Sequence, residues 1–130
     1  MKDRCTPATA RRLKERGFPQ PVPAPGQVWI GQKYGTDIAQ YGVIIGDKIV
    51  FESGEFNNLG VVERGRYLYA PTAPDILREL GFEYDVWYAQ YEGVWICAYE
   101  SRTPSQFTFQ HKDNPAEACA EAWEAKQKQG

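Results

Sequence analysis

The 130-residue chain is expected to fold in the α+β class, as an antiparallel sheet of about six strands with two or three helices packed on it. Three observations predict this. Residues 82–100 read as a β-hairpin that carries its own turn. Residues 41–52 read as a second hairpin. Three further segments, opening at Thr6, Thr72 and Asn114, pair a capping residue with proline in the first helical turn. In chain order this gives α-β-β-β-β-α-β-β-β-α. It is laid out as a single domain over 1–130, with a short basic helix in 1–18, a proline-rich connector in 19–26, and sheet and helices in 27–130.

The first helix starts at Thr6-Pro7 and is stopped by Gly17. Ala10, Leu13 and Phe18 give it a narrow apolar stripe, so most of its surface is expected to be solvated and its docking weak. Pro19 to Gly26 carries proline at every second residue through Pro25, which removes the N–H groups that a helix or inner strand needs, and it should run extended. Gln27–Ile30 is a strand, and 31–40 a glycine-bearing loop. Tyr41–Ile45 and Lys48–Glu52 flank Gly46-Asp47, whose leading glycine suits a two-residue type II′ turn that pairs Ile44 with Ile49 and Val43 with Val50. Residues 53–60 are read as a loop, and 61–69 as a strand interrupted at Gly65.

The second helix runs from the Thr72 cap to Leu80 and is stopped by Gly81, with Ile76, Leu77 and Leu80 inward. In the hairpin that follows, a three-residue loop Tyr91-Glu92-Gly93 places only glycine at positive φ. That register pairs Trp87 with Cys97, Ala89 with Trp95 and Asp85 with Tyr99, and gathers Trp87, Tyr91, Trp95 and Tyr99 on one face. Both faces are apolar, so each needs cover or a partner. Residues 105–111 alternate as a strand with Phe107 and Phe109 inward. The last helix opens at Asn114-Pro115-Ala116-Glu117 and turns Cys119, Ala122 and Trp123 to the sheet. Pro7–Phe18 and Pro71–Phe82 share a weak internal echo, which a recurring helix-stop pattern explains as well as a duplication does.

A net charge of -2 conceals an asymmetry: residues 1–16 hold six of the fifteen Lys and Arg but two of the seventeen Asp and Glu. The acidic body disfavours a broad nucleic-acid footprint and leaves only a local contact through Arg11, Arg12 and Lys14. The plainer reading of those charges is a solvated face that complements the helix dipole. No run of 18 apolar residues indicates a membrane span, and the start lacks a signal-peptide pattern, so a cytoplasmic protein is expected. Cys5, Cys97 and Cys119 have no paired spacing, so reduced thiols are expected, without metal or cofactor. Glu52, Glu55, Asn57 and Asn58 form the one compact oxygen-rich patch, read as a polar surface loop.

Four stretches together resemble a group of small uncharacterised proteins of Bacteroidetes genomes, often in phage-like or mobile regions. They are the N-terminal Thr-Ala-Arg-Arg-Leu-Lys-Glu-Arg-Gly-Phe-Pro-Gln-Pro, Gly-Gln-Val-Trp, Tyr-Ala-Pro-Thr-Ala-Pro-Asp-Ile-Leu-Arg-Glu-Leu-Gly and Asn-Pro-Ala-Glu-Ala-Cys-Ala-Glu-Ala-Trp. The resemblance spans nearly the whole chain apart from 33–60. It implies a phage or mobile-element setting and carries no activity.

Three functions are open. The favoured one is a non-enzymatic binding or adaptor protein that engages a protein, or a second copy of itself, through the aromatic sheet face (Trp87, Tyr91, Trp95, Tyr99) or the basic head (Arg11, Arg12, Lys14). The second is a small enzyme using Cys97 with His111, the one histidine in the chain. The third is stacking of carbohydrate or single-stranded nucleic acid on the aromatic face.

Overall fold

The structure is a computed structural model that describes residues 3–32, 39–60, 67–99 and 108–129. Among them run three helices, α1 (Pro7–Glu15), α2 (Ala73–Leu80) and α3 (Pro115–Gln129). The strands are β1 (Val28–Gln32), β2 (Ala39–Ile45), β3 (Lys48–Phe51), β4 (Phe56–Asn58), β5 (Leu68–Tyr69), β6 (Tyr84–Ala89), β7 (Val94–Tyr99) and β8 (Thr108–His111). The fold is α+β and every pairing is antiparallel. The strands form two sheets where one of about six was expected, a five-stranded sheet in the order β4-β3-β2-β1-β5 and a three-stranded sheet in the order β6-β7-β8. The chain divides into two compact units, Ala10–Ala70 and the first nine residues with Pro71–Gly130.

In the unit Ala10–Ala70, β1 to β4 follow one another as a meander, and β5 returns to pair with the free edge of β1. The second hairpin has the expected register, with Gly46 at φ 60 leading a two-residue loop and Ile44 opposite Ile49. Trp29, Ile44, Ile49, Phe51, Tyr67 and Tyr69 make up the core, with Trp29 edge-on to Tyr69 and Phe51 edge-on to Tyr67. Ala10, Leu13 and Phe18 are buried, so the expected weak docking of the first helix is corrected. The helix closes on paired bonds, Gly17 N–H to the Lys14 carbonyl and Phe18 N–H to the Leu13 carbonyl, and these seat Phe18 beside the last turn.

The proline-rich stretch has no regular structure and is tied to the sheet at several points. Gln20 Oε1 accepts from Tyr69 N–H, Gly26 N–H donates to the Ile44 carbonyl, and Gln27 Oε1 accepts from the Trp29 indole. Phe56–Asn58, read from sequence as loop, is the edge strand β4. Its asparagines are poor strand formers and all three residues are exposed, so no alternation marks it. The interruption expected at Gly65 and the inward Phe107 lie outside the described residues.

Gly42 sits between Trp29 and Phe51 on neighbouring strands. A Cβ there would stand 2.7 Å from Ile49 Cγ1 and 2.8 Å from Phe51 Cδ1, so the rings and branches of the core occupy the space a side chain would take. Gly42→Ala is therefore expected to lower stability by about 1 to 3 kcal/mol in chemical denaturation. An unchanged midpoint would contradict this packing.

In the other unit, α2 opens on a reciprocal cap. Thr72 Oγ1 accepts from Asp75 N–H while Asp75 Oδ2 accepts from Thr72 N–H. Gly81, at φ 102, ends the helix as expected. Helix α3 packs on β6, β7 and β8 and against α2. Most of its first nine residues are buried, namely Ala116, Glu117, Ala118, Cys119, Ala120, Ala122 and Trp123. The small alanines let the backbone approach closely, while Trp123 supplies the bulk. Cys5 is fully buried, with its thiol against the Ala116 carbonyl.

Candidate functional site

The aromatic hairpin adopts a register one residue from the expected one. Ala89 pairs with Val94, and Gln90–Gly93 form a four-residue loop closed by Gly93 N–H on the Ala89 carbonyl at 2.8 Å. Gly93 takes the positive φ of 69° expected of it, but a left-handed glycine closes a four-residue loop as readily as a three-residue one. A shift of one position alters which side chains share a face. Tyr84, Val86, Tyr88, Trp95, Cys97 and Tyr99 fall on one face with Phe109 and His111, and Asp85, Trp87, Ala89, Val94, Ile96 and Ala98 on the other.

The proposed grouping of Trp87, Tyr91, Trp95 and Tyr99 on one face is therefore corrected. Trp95 and Tyr99 share a face with Cys97, Trp87 lies on the opposite face, and Tyr91 is fully exposed in the loop. The flat four-ring platform expected for sugar or base stacking is not formed. Tyr84 stands edge-on to Tyr99, and Tyr88 edge-on to Trp95.

What the hairpin builds instead is a cleft of about 550 Å³ at its open end, lined by Phe82, Glu83, Tyr84, Asp85, Trp87, Ala98 and Tyr99. The chain leaves α2 at Gly81 and enters β6 through the Phe82-Glu83 turn, which leaves Phe82 95% exposed at the rim. Along β6, Asp85 and Trp87 share a face. Asp85 stands opposite Ala98, whose small side chain leaves room above it. Both carboxylates are exposed. Asp85 Oδ1 accepts from Val86 N–H at 2.8 Å, which fixes the carboxylate's direction. Burial, then the negative fields of Cys97 and Glu83, hold the Tyr84 phenol above its ordinary pKa, so it is a neutral hydroxyl at neutral pH.

Trp87 and Tyr99 are thus the two expected site residues that line the cleft. Phe82, Glu83, Tyr84 and Asp85 were missed. Their signal is the run Phe-Glu-Tyr-Asp at the strand entry, which brings aromatic and acidic residues to the same end of β6, with Tyr84 and Asp85 on opposite faces.

The Cys97/His111 pair finds other partners. Cys97 is fully buried and shares a hydrogen bond with Cys119. That bond first, and burial second, push the Cys119 thiol far above its ordinary pKa. A thiol so held is a poor nucleophile. His111 Nδ1 accepts from Asp113 and Asn114 N–H at 3.2 and 3.0 Å, so the ring caps the entry to α3. In the basic head, Arg11 and Arg12 are exposed, whereas Lys14 is half-buried with its Nζ on the Tyr67 carbonyl. Of the oxygen-rich patch, Asn57 donates to Tyr67 Oη at 2.7 Å, while Glu52 and Glu55 are exposed.

Among the described residues, no three His, Cys, Asp or Glu side chains converge as a metal would require, and no helix is long and apolar enough to cross a membrane. Comparison with protein-family models, curated proteins and solved structures finds no match.

Proposed function

We propose that the protein is a non-enzymatic binding or adaptor protein whose site is the cleft at the open end of the aromatic hairpin. The observation that carries the reading is the cleft itself, an indentation of about 550 Å³ lined by four aromatic and two acidic residues. Aromatic side chains supply contact area at small entropic cost and recur as hot spots of protein interfaces. The partner is a protein segment. The resemblance to small Bacteroidetes proteins supports a setting in a phage or mobile element, and the genes flanking the coding locus check it. Flanks made up throughout of housekeeping operons would remove it.

The site is tested by panning a random peptide library on the protein and rebinding each enriched peptide to Trp87→Ala. Trp87 is about half exposed, so its removal is expected to leave the fold intact. Peptides that lose binding to the variant support the cleft. If every enriched peptide binds both proteins equally, or none is enriched, the cleft is not the site.

A further inference from the structure

We infer that the cleft recognises arginine side chains of a basic peptide segment, a proposal that rests on the cleft being the binding site. Its polar lining is Glu83, Asp85 and the neutral Tyr84 hydroxyl, and its apolar lining is Phe82, Trp87, Tyr99, the Tyr84 ring and Ala98. Among the described residues that line it, none is basic. Such a surface attracts a cation twice, through the electron-rich ring faces and through the carboxylates. Arginine suits it better than lysine, because a planar guanidinium stacks on an indole while its N–H groups reach carboxylates in a fork. The order along the strand fits this use. Asp85 and Trp87 lie two residues apart on one face, and the Ala98 position opposite Asp85 provides the depth for an incoming chain.

A lysine of the chain itself rests on one of these rings, on the other side of the sheet. Lys126 Nζ stands 5.7 Å from the Tyr84 ring centroid, held there by its hydrogen bond to the Leu80 carbonyl at 2.8 Å. That lysine reaches Tyr84 from α3, on the side of the sheet opposite to Asp85 and Trp87, and leaves those two side chains to the ligand.

The test is calorimetric titration of the full chain with an acetylated octapeptide of alternating glycine and arginine, and with its lysine and citrulline counterparts. Citrulline keeps the planar shape and removes the charge. The arginine peptide is expected to bind several-fold more tightly than the lysine peptide, and the citrulline peptide not to bind. Trp87→Ala and Asp85→Asn are each expected to weaken the arginine peptide about tenfold. Binding should also fall on moving from low salt to about 0.15 M. Equal binding of the arginine and citrulline peptides overturns the inference, as does absence of binding or indifference to both substitutions. Cleft-dependent library peptides without arginine would leave the cleft as the site and remove only the guanidinium. If no library peptide depends on Trp87, both fail.

Discussion

Replacing Trp123 with alanine is expected to lower the stability of the unit that contains α3 by about 3 to 5 kcal/mol. The magnitude follows from how α3 is built. Ala116, Ala118, Ala120 and Ala122 are buried but contribute little volume each, so Trp123 is the one bulky side chain among the buried residues of α3. With Trp123 only 4% exposed, its removal opens a void that neighbouring alanines cannot reach across to fill. In thermal unfolding the corresponding drop is roughly 12 to 40 °C. Because the chain divides into two units, unfolding is to be followed with probes of each. The transition reporting α3 should move, and Gly42→Ala should act on the other unit. A loss under about 1 kcal/mol for Trp123→Ala would show that the ring does not carry this packing.

The elements whose local chemistry admits one solution were legible in the sequence. Thr72-Ala-Pro-Asp75 admits little but a capped helix start, and Gly46-Asp47 between two apolar runs admits a two-residue turn whose register follows from its length. Where two solutions satisfy the same residues, the sequence does not choose between them. Gly93 serves either loop length. The register is normally chosen by which face is polar, and here both faces of the hairpin are apolar, so the alternation that would have rejected the one-residue slip is missing.

The division into two sheets has a similar cause. β5 pairs with β1, and β6 with β7 alone, and nothing in the strands' composition says which edges meet. The cleft inherits this. Its rings were visible as residues, but their sharing of one end of the hairpin depends on the register. The burial of Cys5 is not legible in its basic sequence neighbourhood. Its position is set by contacts more than a hundred residues away, through the Ala116 carbonyl and through Asn114, whose side chain donates to the Arg4 carbonyl at 2.6 Å.

Long-range contacts of this kind make a second substitution costly. Glu117 is the third residue of α3, where an acidic side chain normally reaches back to the N-cap N–H. That N–H is already taken by His111 Nδ1, and Asn114 Oδ1 caps Ala116 N–H, so the Glu117 carboxylate turns instead to the start of α1. Its Oε1 accepts from Thr9 Oγ1 at 2.8 Å and from Thr6 Oγ1 at 3.1 Å. The residue is 8% exposed, and Oε2 is buried without a hydrogen-bond partner. Loss of one hydroxyl therefore removes half of this carboxylate's support where water cannot replace it. Thr9→Val, which keeps the shape, is expected to cost about 1.5 to 3 kcal/mol, in the range for hydrogen bonds to charged groups. In a Glu117→Gln background the same substitution should cost at least about 1 kcal/mol less, since a neutral acceptor loses less when a donor is withdrawn. Equal costs in the two backgrounds would mean that Thr9 acts by packing alone.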